Sequence, residues 1–132
     1  MTEWSGDLVL YRLERAREAL EEAQILANAG RWNACVNRLY YACFYAVSAV
    51  LVKDGLASAK HTGVRGLFNK HYVKTGKVPK ELARIYNDLF ERRQEGDYID
   101  FVSFKETQVF PWISQAEKFV EHITDQAKQE DA

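Results

Sequence analysis

Helix breakers are scarce in this chain: two prolines and seven glycines among 132 residues exclude a loop-rich fold and leave long helices as the default. Cysteine is as scarce as proline. Cys35 and Cys43 are separated by eight residues on one predicted helix, roughly 12 Å along its axis and too far to bridge. Free buried thiols in a reducing compartment are expected. No CxxC or HxxH spacing occurs, so neither a metal site nor a cofactor is expected. The opening "MTEWSGDLVLYRLERAREAL" lacks a basic stretch followed by an apolar one, which argues against a secretory leader and for a cytoplasmic protein. The longest apolar run, Leu39 to Val52, falls short of the roughly 20 residues of a membrane span. It reads as a buried helix, with no membrane association.

Net charge is also nearly absent, at -1, but the total conceals a strong asymmetry. Residues 1–30 carry 3 basic and 6 acidic groups (-3), residues 31–93 carry 12 and 4 (+8), and residues 94–132 carry 3 and 9 (-6). A middle segment at +8 suits an anionic ligand, or is balanced in space by the acidic ends.

What the sequence does contain is helical periodicity. In residues 8–29, Val9, Leu13, Ala16, Leu20, Ala23 and Ala27 step by four and three along one face, and Gly30 supplies the stop. Residues 31–53 are apolar nearly all round, the mark of a central bundle helix, with Gly55 ending it. "HTGVRGLFNKHYV" reads as a short helix with Thr62 as N-cap and Gly76 closing the segment. A helix over about 79–95 begins with Pro79 at its first position, buries Leu82, Ile85, Tyr86 and Leu89, and ends at Gly96. A last helix spans about 103–127, with Pro111 expected to kink or restart it. The spacing therefore predicts one all-α domain over residues 1–132, with its core at about 8–127. Its architecture is an antiparallel bundle of four long helices and one short one.

Two features stand out against that background. Arg38, Tyr41, Tyr45 and Ser48 step by three, four and three, a polar ribbon on an otherwise apolar helix. Such tyrosines serve equally as core rings whose hydroxyls find a carbonyl, as a self-association surface, or as platforms for stacking a base. Arg92 and Arg93 continue the apolar stripe of the fourth helix, and a guanidinium there needs an acceptor, for which Asp97 is the nearest in sequence. Helix-terminal arginines that satisfy last-turn carbonyls are the structural alternative.

"NRLYYACFYAVSAVL", "KHTGVRGLFNKHYVKTG" and "LFERRQEGDYID", in this order and spacing, resemble the HEPN family (higher eukaryote and prokaryote nucleotide-binding domains), in its small stand-alone prokaryotic branch. The resemblance covers about residues 8–125. It implies a helical bundle that forms a homodimer, encoded beside a minimal nucleotidyltransferase in a toxin–antitoxin type pair. Active members cleave RNA without metal through an R-x(4-6)-H motif, whose arginine Arg93 matches. The histidine does not follow: with four to six residues intervening after Arg93 stand Tyr98, Ile99 and Asp100. Neither tyrosine, titrating near 10, nor aspartate, near 4, replaces imidazole as a proton shuttle near neutral pH.

The leading expectation is a nucleotide- or RNA-binding HEPN subunit that partners a minimal nucleotidyltransferase. Arg38, Arg92 and Arg93 would pair with phosphate, Tyr41, Tyr45 and Tyr98 would stack bases, and Asp97 would hold an arginine. The alternative is a divergent metal-independent ribonuclease in which Arg93 stabilises phosphorane charge and His61 or Tyr98 moves the proton. His61 precedes the short helix, where the related branch tends to carry a histidine; His71 and His122 are weaker candidates. A structural dimeric module, with the aromatic ribbon as dimer core, is the third reading. In the partner reading Tyr98 would also be a target for modification by the transferase.

Overall fold

The computed structural model describes residues 3–129, with side chains from residue 6 onward. Five α-helices follow one another: α1 Glu3–Asn28, α2 Trp32–Lys53, α3 His61–Phe68, α4 Lys80–Tyr98 and α5 Glu106–Lys128. A π-helical turn, Asn69–Val73, extends α3. No strand occurs among the described residues, and the all-α bundle stands as expected.

α2 is the axis of the bundle and packs against α1, α3, α4 and α5. Its length and composition alone would allow it to cross a membrane, but 67% of its most apolar 18-residue window is buried inside the bundle. An all-round apolar helix is what a position among four neighbours requires. α1 makes the most extensive contact with it. The buried face of α1 is Val9, Leu13, Ala16, Ala19, Ala23 and Ala27, where small alanines let two helix axes come close. Leu20, expected in that stripe, is only partly buried. Cys35 and Cys43 are free and buried, and burial pushes both thiols up, Cys35 to about 11.

Turn chemistry explains the joints. Gly30 and Gly55 adopt φ of +72° and +77°, and in each case the next residue's N–H reaches five residues back, Arg31 to Leu26 at 2.9 Å and Leu56 to Leu51 at 2.8 Å. Both are left-handed stops that glycine adopts without steric penalty. α3 begins one residue before the proposed cap, so Thr62 lies inside the first turn and Lys60 occupies the N-cap without a side-chain bond. Pro79 likewise caps α4 rather than opening it.

Three expectations about the last two helices are corrected. α4 does not stop at Gly96 but continues to Tyr98. Glycine is needed there because a Cβ would lie 2.8 Å from the Phe104 ring, which the α4–α5 loop lays against the helix. Ala83 and Phe90 are buried on α4 along with Tyr86 and Leu89, whereas Leu82 and Ile85 are only half covered. Finally, α5 continues through Pro111, which does not restart the helix. A proline this near the helix start forfeits a single bond, to the Thr107 carbonyl, while Val109, Ile113, Ala116 and Phe119 stay anchored in the core.

Candidate functional site

The polar ribbon of α2 does not act as one surface. Ser48 is buried, 2% exposed, and its hydroxyl meets no partner among the described residues. Tyr45 turns toward α1, where Arg15 Nη2 donates to its hydroxyl at 3.3 Å and the guanidinium lies 5.1 Å from its ring centre. Arg38 covers the Tyr41 ring at 4.8 Å and pairs with Glu22 of α1 at 3.2 Å. Of the ribbon, Tyr41 alone touches Arg93 directly.

Among the described residues Arg93 is the one buried charge, 8% exposed, on the face of α4 that meets α2. Its guanidinium lies 5.0 Å from the Tyr40 ring centre and 5.5 Å from those of Tyr41 and Tyr98. Nε donates to Asp97 Oδ2 at 3.4 Å and Nη2 to the Tyr98 hydroxyl at 3.4 Å. Because α4 continues through Gly96, Asp97 sits one turn beyond Arg93 and can make that bond. Asn37 of α2 donates to the same Asp97 oxygen at 2.8 Å, and one turn earlier Asn33 pins the following loop through the Val102 carbonyl at 2.9 Å and the Phe104 N–H at 2.9 Å. Two asparagines on α2 thereby fix the end of α4.

His61 comes to the same rings from α3. It stacks on Phe44 with centres 4.4 Å apart, meets Tyr41 edge-on at 5.7 Å, and its Nδ1 lies 2.8 Å from the Tyr40 hydroxyl. Burial, and then the positive field of Arg93, lower its pKa below the usual histidine value. Burial raises the Tyr40 phenol well above its own. At neutral pH the pair is therefore uncharged, beside a guanidinium that keeps its charge. Nδ1 is held by Tyr40, which leaves Nε2 as the second ring nitrogen.

The structure thus brings together Arg93, His61, Tyr98, Asp97 and Tyr41, with Arg38 at the edge. It does not bring in Arg92, whose guanidinium lies 4.0 Å from the Trp112 ring centre and 3.9 Å from Asp88, on the side of α4 that faces α5. Three contributors went unnoticed in the sequence: Tyr40, Phe44 and Asn37. The signal existed for each. Asn37, Tyr41 and Phe44 step by four and three along α2, beside Tyr40. Exposed apolar groups flank the cluster, with Tyr98 at 72%, Ile99 at 55% and Phe101 fully open in a left-handed conformation at φ +66°. Among the described residues no three His, Cys, Asp or Glu side chains gather as a metal would need.

Comparison with known proteins bears directly on this arrangement. A family model described as the HEPN domain matches residues 9–126. A UPF0332 protein of Thermotoga maritima is 48% identical over 116 residues, spanning 88% of this chain and 88% of its own. A Methanocaldococcus jannaschii protein named as a candidate toxin is 32% identical over 96 residues, 73% of this chain and 65% of its own, and a second such protein from that organism is 32% identical over 112 residues, 84% and 82%. Among solved structures, one from Thermus thermophilus superposes with a TM-score of 0.76 at 17% identity, covering 89% of this chain and 97% of that one, a likeness of fold.

Proposed function

The chain belongs to the HEPN family, and from that premise we propose that it is a toxin-like member that binds a nucleotide or RNA phosphate at the Arg93 cluster. The observation that carries this reading is the meeting of Arg93 and His61 on the same two rings, Tyr40 and Tyr41. A guanidinium held in a low-dielectric aromatic pocket interacts strongly with an anion, and the neutral imidazole beside it adds a hydrogen bond without competing charge. Tyr98, mostly exposed, supplies a face on which a base can stack. The relatives named as toxins support the toxin-like part. The partner within this proposal is a minimal nucleotidyltransferase, and the working form is a homodimer. Anisotropy of a labelled oligoribonucleotide at low salt tests binding, co-purification with a nucleotidyltransferase encoded alongside tests the pair, and sedimentation tests the dimer. Absence of RNA or nucleotide binding would overturn the reading of the site.

A second reading, metal-independent RNA cleavage, is supported by the position of His61, an imidazole that does not follow Arg93 in sequence but shares the Tyr40 and Tyr41 rings with it. In such a step the neutral imidazole is protonated at Nδ1, toward the Tyr40 oxygen. A ribose 2′-oxygen attacks the neighbouring phosphorus and gives its proton to His61 Nε2, while Arg93 stabilises the phosphorane charge. The bond to the 5′-oxygen breaks as that oxygen takes a proton from water, leaving a 2′,3′-cyclic phosphate. Expression of the protein alone then arrests growth, and His61→Ala and Arg93→Ala each relieve the arrest. Harmless expression of the unaltered chain would remove this second reading and leave the binding one in place.

A further inference from the structure

Arg65 stands one helical turn after His61 on α3, and nothing in the reading above uses it. Its guanidinium lies 3.8 Å from the Phe90 ring centre, Phe90 meets Tyr40 edge-on at 5.8 Å, and Tyr40 carries Arg93 at 5.0 Å. One aromatic floor therefore joins two guanidiniums, with His61 bonded to its middle ring. Both positive charges reach the same phenol, since Arg93 and Arg65 each work against burial at Tyr40. Arg65 is the more accessible of the two, with 28% of its side chain exposed against 10% for Arg93. Its present partner is Glu91 at 3.0 Å, whose carboxylate is 59% exposed. An ion pair so open to water is weak and readily exchanged for a phosphate. Arg93 keeps its Asp97 contact through Nε and its Tyr98 contact through Nη2, which leaves Nη1 for an anion.

We propose that Arg65 is a second phosphate-binding residue of the Arg93 site, so that the ligand is a strand carrying at least two phosphates rather than a mononucleotide. This rests on the reading of Arg93 as a phosphate-binding group. The two guanidiniums stand over different rings of that floor, Arg93 over Tyr40 and Arg65 over Phe90, so each offers a phosphate its own contact point. A polynucleotide meets both along its backbone, and each contact adds to the salt dependence of binding.

The test measures labelled octauridylate by anisotropy over a range of salt, and uridine monophosphate by competition, for the unaltered chain, Arg93→Gln, Arg65→Gln and Glu91→Gln. Arg65→Gln is expected to weaken octauridylate about tenfold. It should also reduce the slope of log affinity against log salt by about 0.7, and leave the monophosphate unchanged. Glu91→Gln, which frees Arg65, is expected to tighten octauridylate, and it decides the matter alone if Arg65→Gln does not fold. A silent Arg65→Gln and Glu91→Gln, or an equal loss for both ligands, overturns the second contact while a normal response to Arg93→Gln keeps the first. Failure of octauridylate to bind the unaltered chain, or indifference to Arg93→Gln, overturns the first reading and this one with it.

Discussion

The two ends of α2 each bury a tyrosine beside charged groups, and they settle it in opposite ways. At the C-terminal end, Tyr72 from the π-helical turn lies under 2% exposed, its hydroxyl bonded to the Asp54 carboxylate with the Val50 carbonyl 3.0 Å away. Lys53 there donates to the Gln126 carbonyl at 3.2 Å. Tyr72 and Lys53 both meet backbone or carboxylate acceptors, so the end is knitted into the bundle. At the N-terminal half, Tyr40 is just as buried, yet its hydroxyl meets an imidazole, and its ring lies under a guanidinium whose neighbours Tyr98 and Asp97 reach solvent. The same residue type thus closes a structural joint at one end and supports an ionisable, partly open cluster at the other. A cavity of about 570 Å³ lies at the knitted end, lined by two lysines and two aspartates among others, so its charges cancel. Volume alone would direct attention to that end of the helix and away from the proposed Arg93 site.

Deleting the ring at the open end should have the largest effect. Tyr40→Ala removes a fully buried aromatic, so a loss of about 3–5 kcal/mol of stability is expected in urea unfolding, together with loss of RNA binding. A variant that folds and binds normally would mean that the Tyr40 floor is not part of the site. A sharper version of the comparison is the paired hydroxyl deletion. Tyr72→Phe removes the donor to the Asp54 carboxylate and one of the two to the Val50 carbonyl, which keeps the Asp54 N–H, and should cost about 1–2 kcal/mol while leaving RNA affinity unchanged. Tyr40→Phe should cost a similar amount and also weaken binding, because His61 loses the bond that orients it. Equal binding by the two variants would erase the distinction between the ends.

Much of the fold was legible because its signals are local. Gly30, Gly55 and Gly76 mark three helix ends by positive φ, and the apolar stripe of α1 reads directly from spacing. Helix starts at Thr62 and Pro79 were misplaced by only a residue or two, and the larger error came where another segment decided the outcome. Gly96 looks like a stop in the sequence and is instead a glycine demanded by Phe104, eight residues on, packing against the helix. The same holds for the site. Arg93, Tyr98 and Asp97 lie within one turn and a half and were visible as a group. Arg92 shares the local pattern but points to Trp112, because a rotation of one residue about the axis carries it to another face. His61 and Tyr40 meet through the packing of α3 on α2, which no spacing along either helix encodes.

The smallest expected effect is electrical and tests whether His61 and Arg93 share one field. The folded-state pKa of His61 is lowered, by burial first and by Arg93 second. An unfolded histidine titrates near 6.5. Between that value and the lower folded one, the unfolded chain binds more protons, so stability rises with pH across this window. Read downward, the contribution of His61 is intact above about 6.5, is lost as the pH falls toward the folded pKa, and falls no further below it. Arg93→Gln removes the second cause and keeps the first, so the His61 ring signals in an NMR titration should move part of the way back toward the ordinary value. The acid loss of stability should shrink in step, since a smaller pKa difference means a smaller proton uptake on unfolding. The Tyr72→Phe variant, altered at the other end of α2, should leave the His61 titration where it was. A His61 midpoint indifferent to Arg93→Gln would place the imidazole outside the guanidinium's field, and the open end of α2 would then hold two neighbouring groups rather than one site.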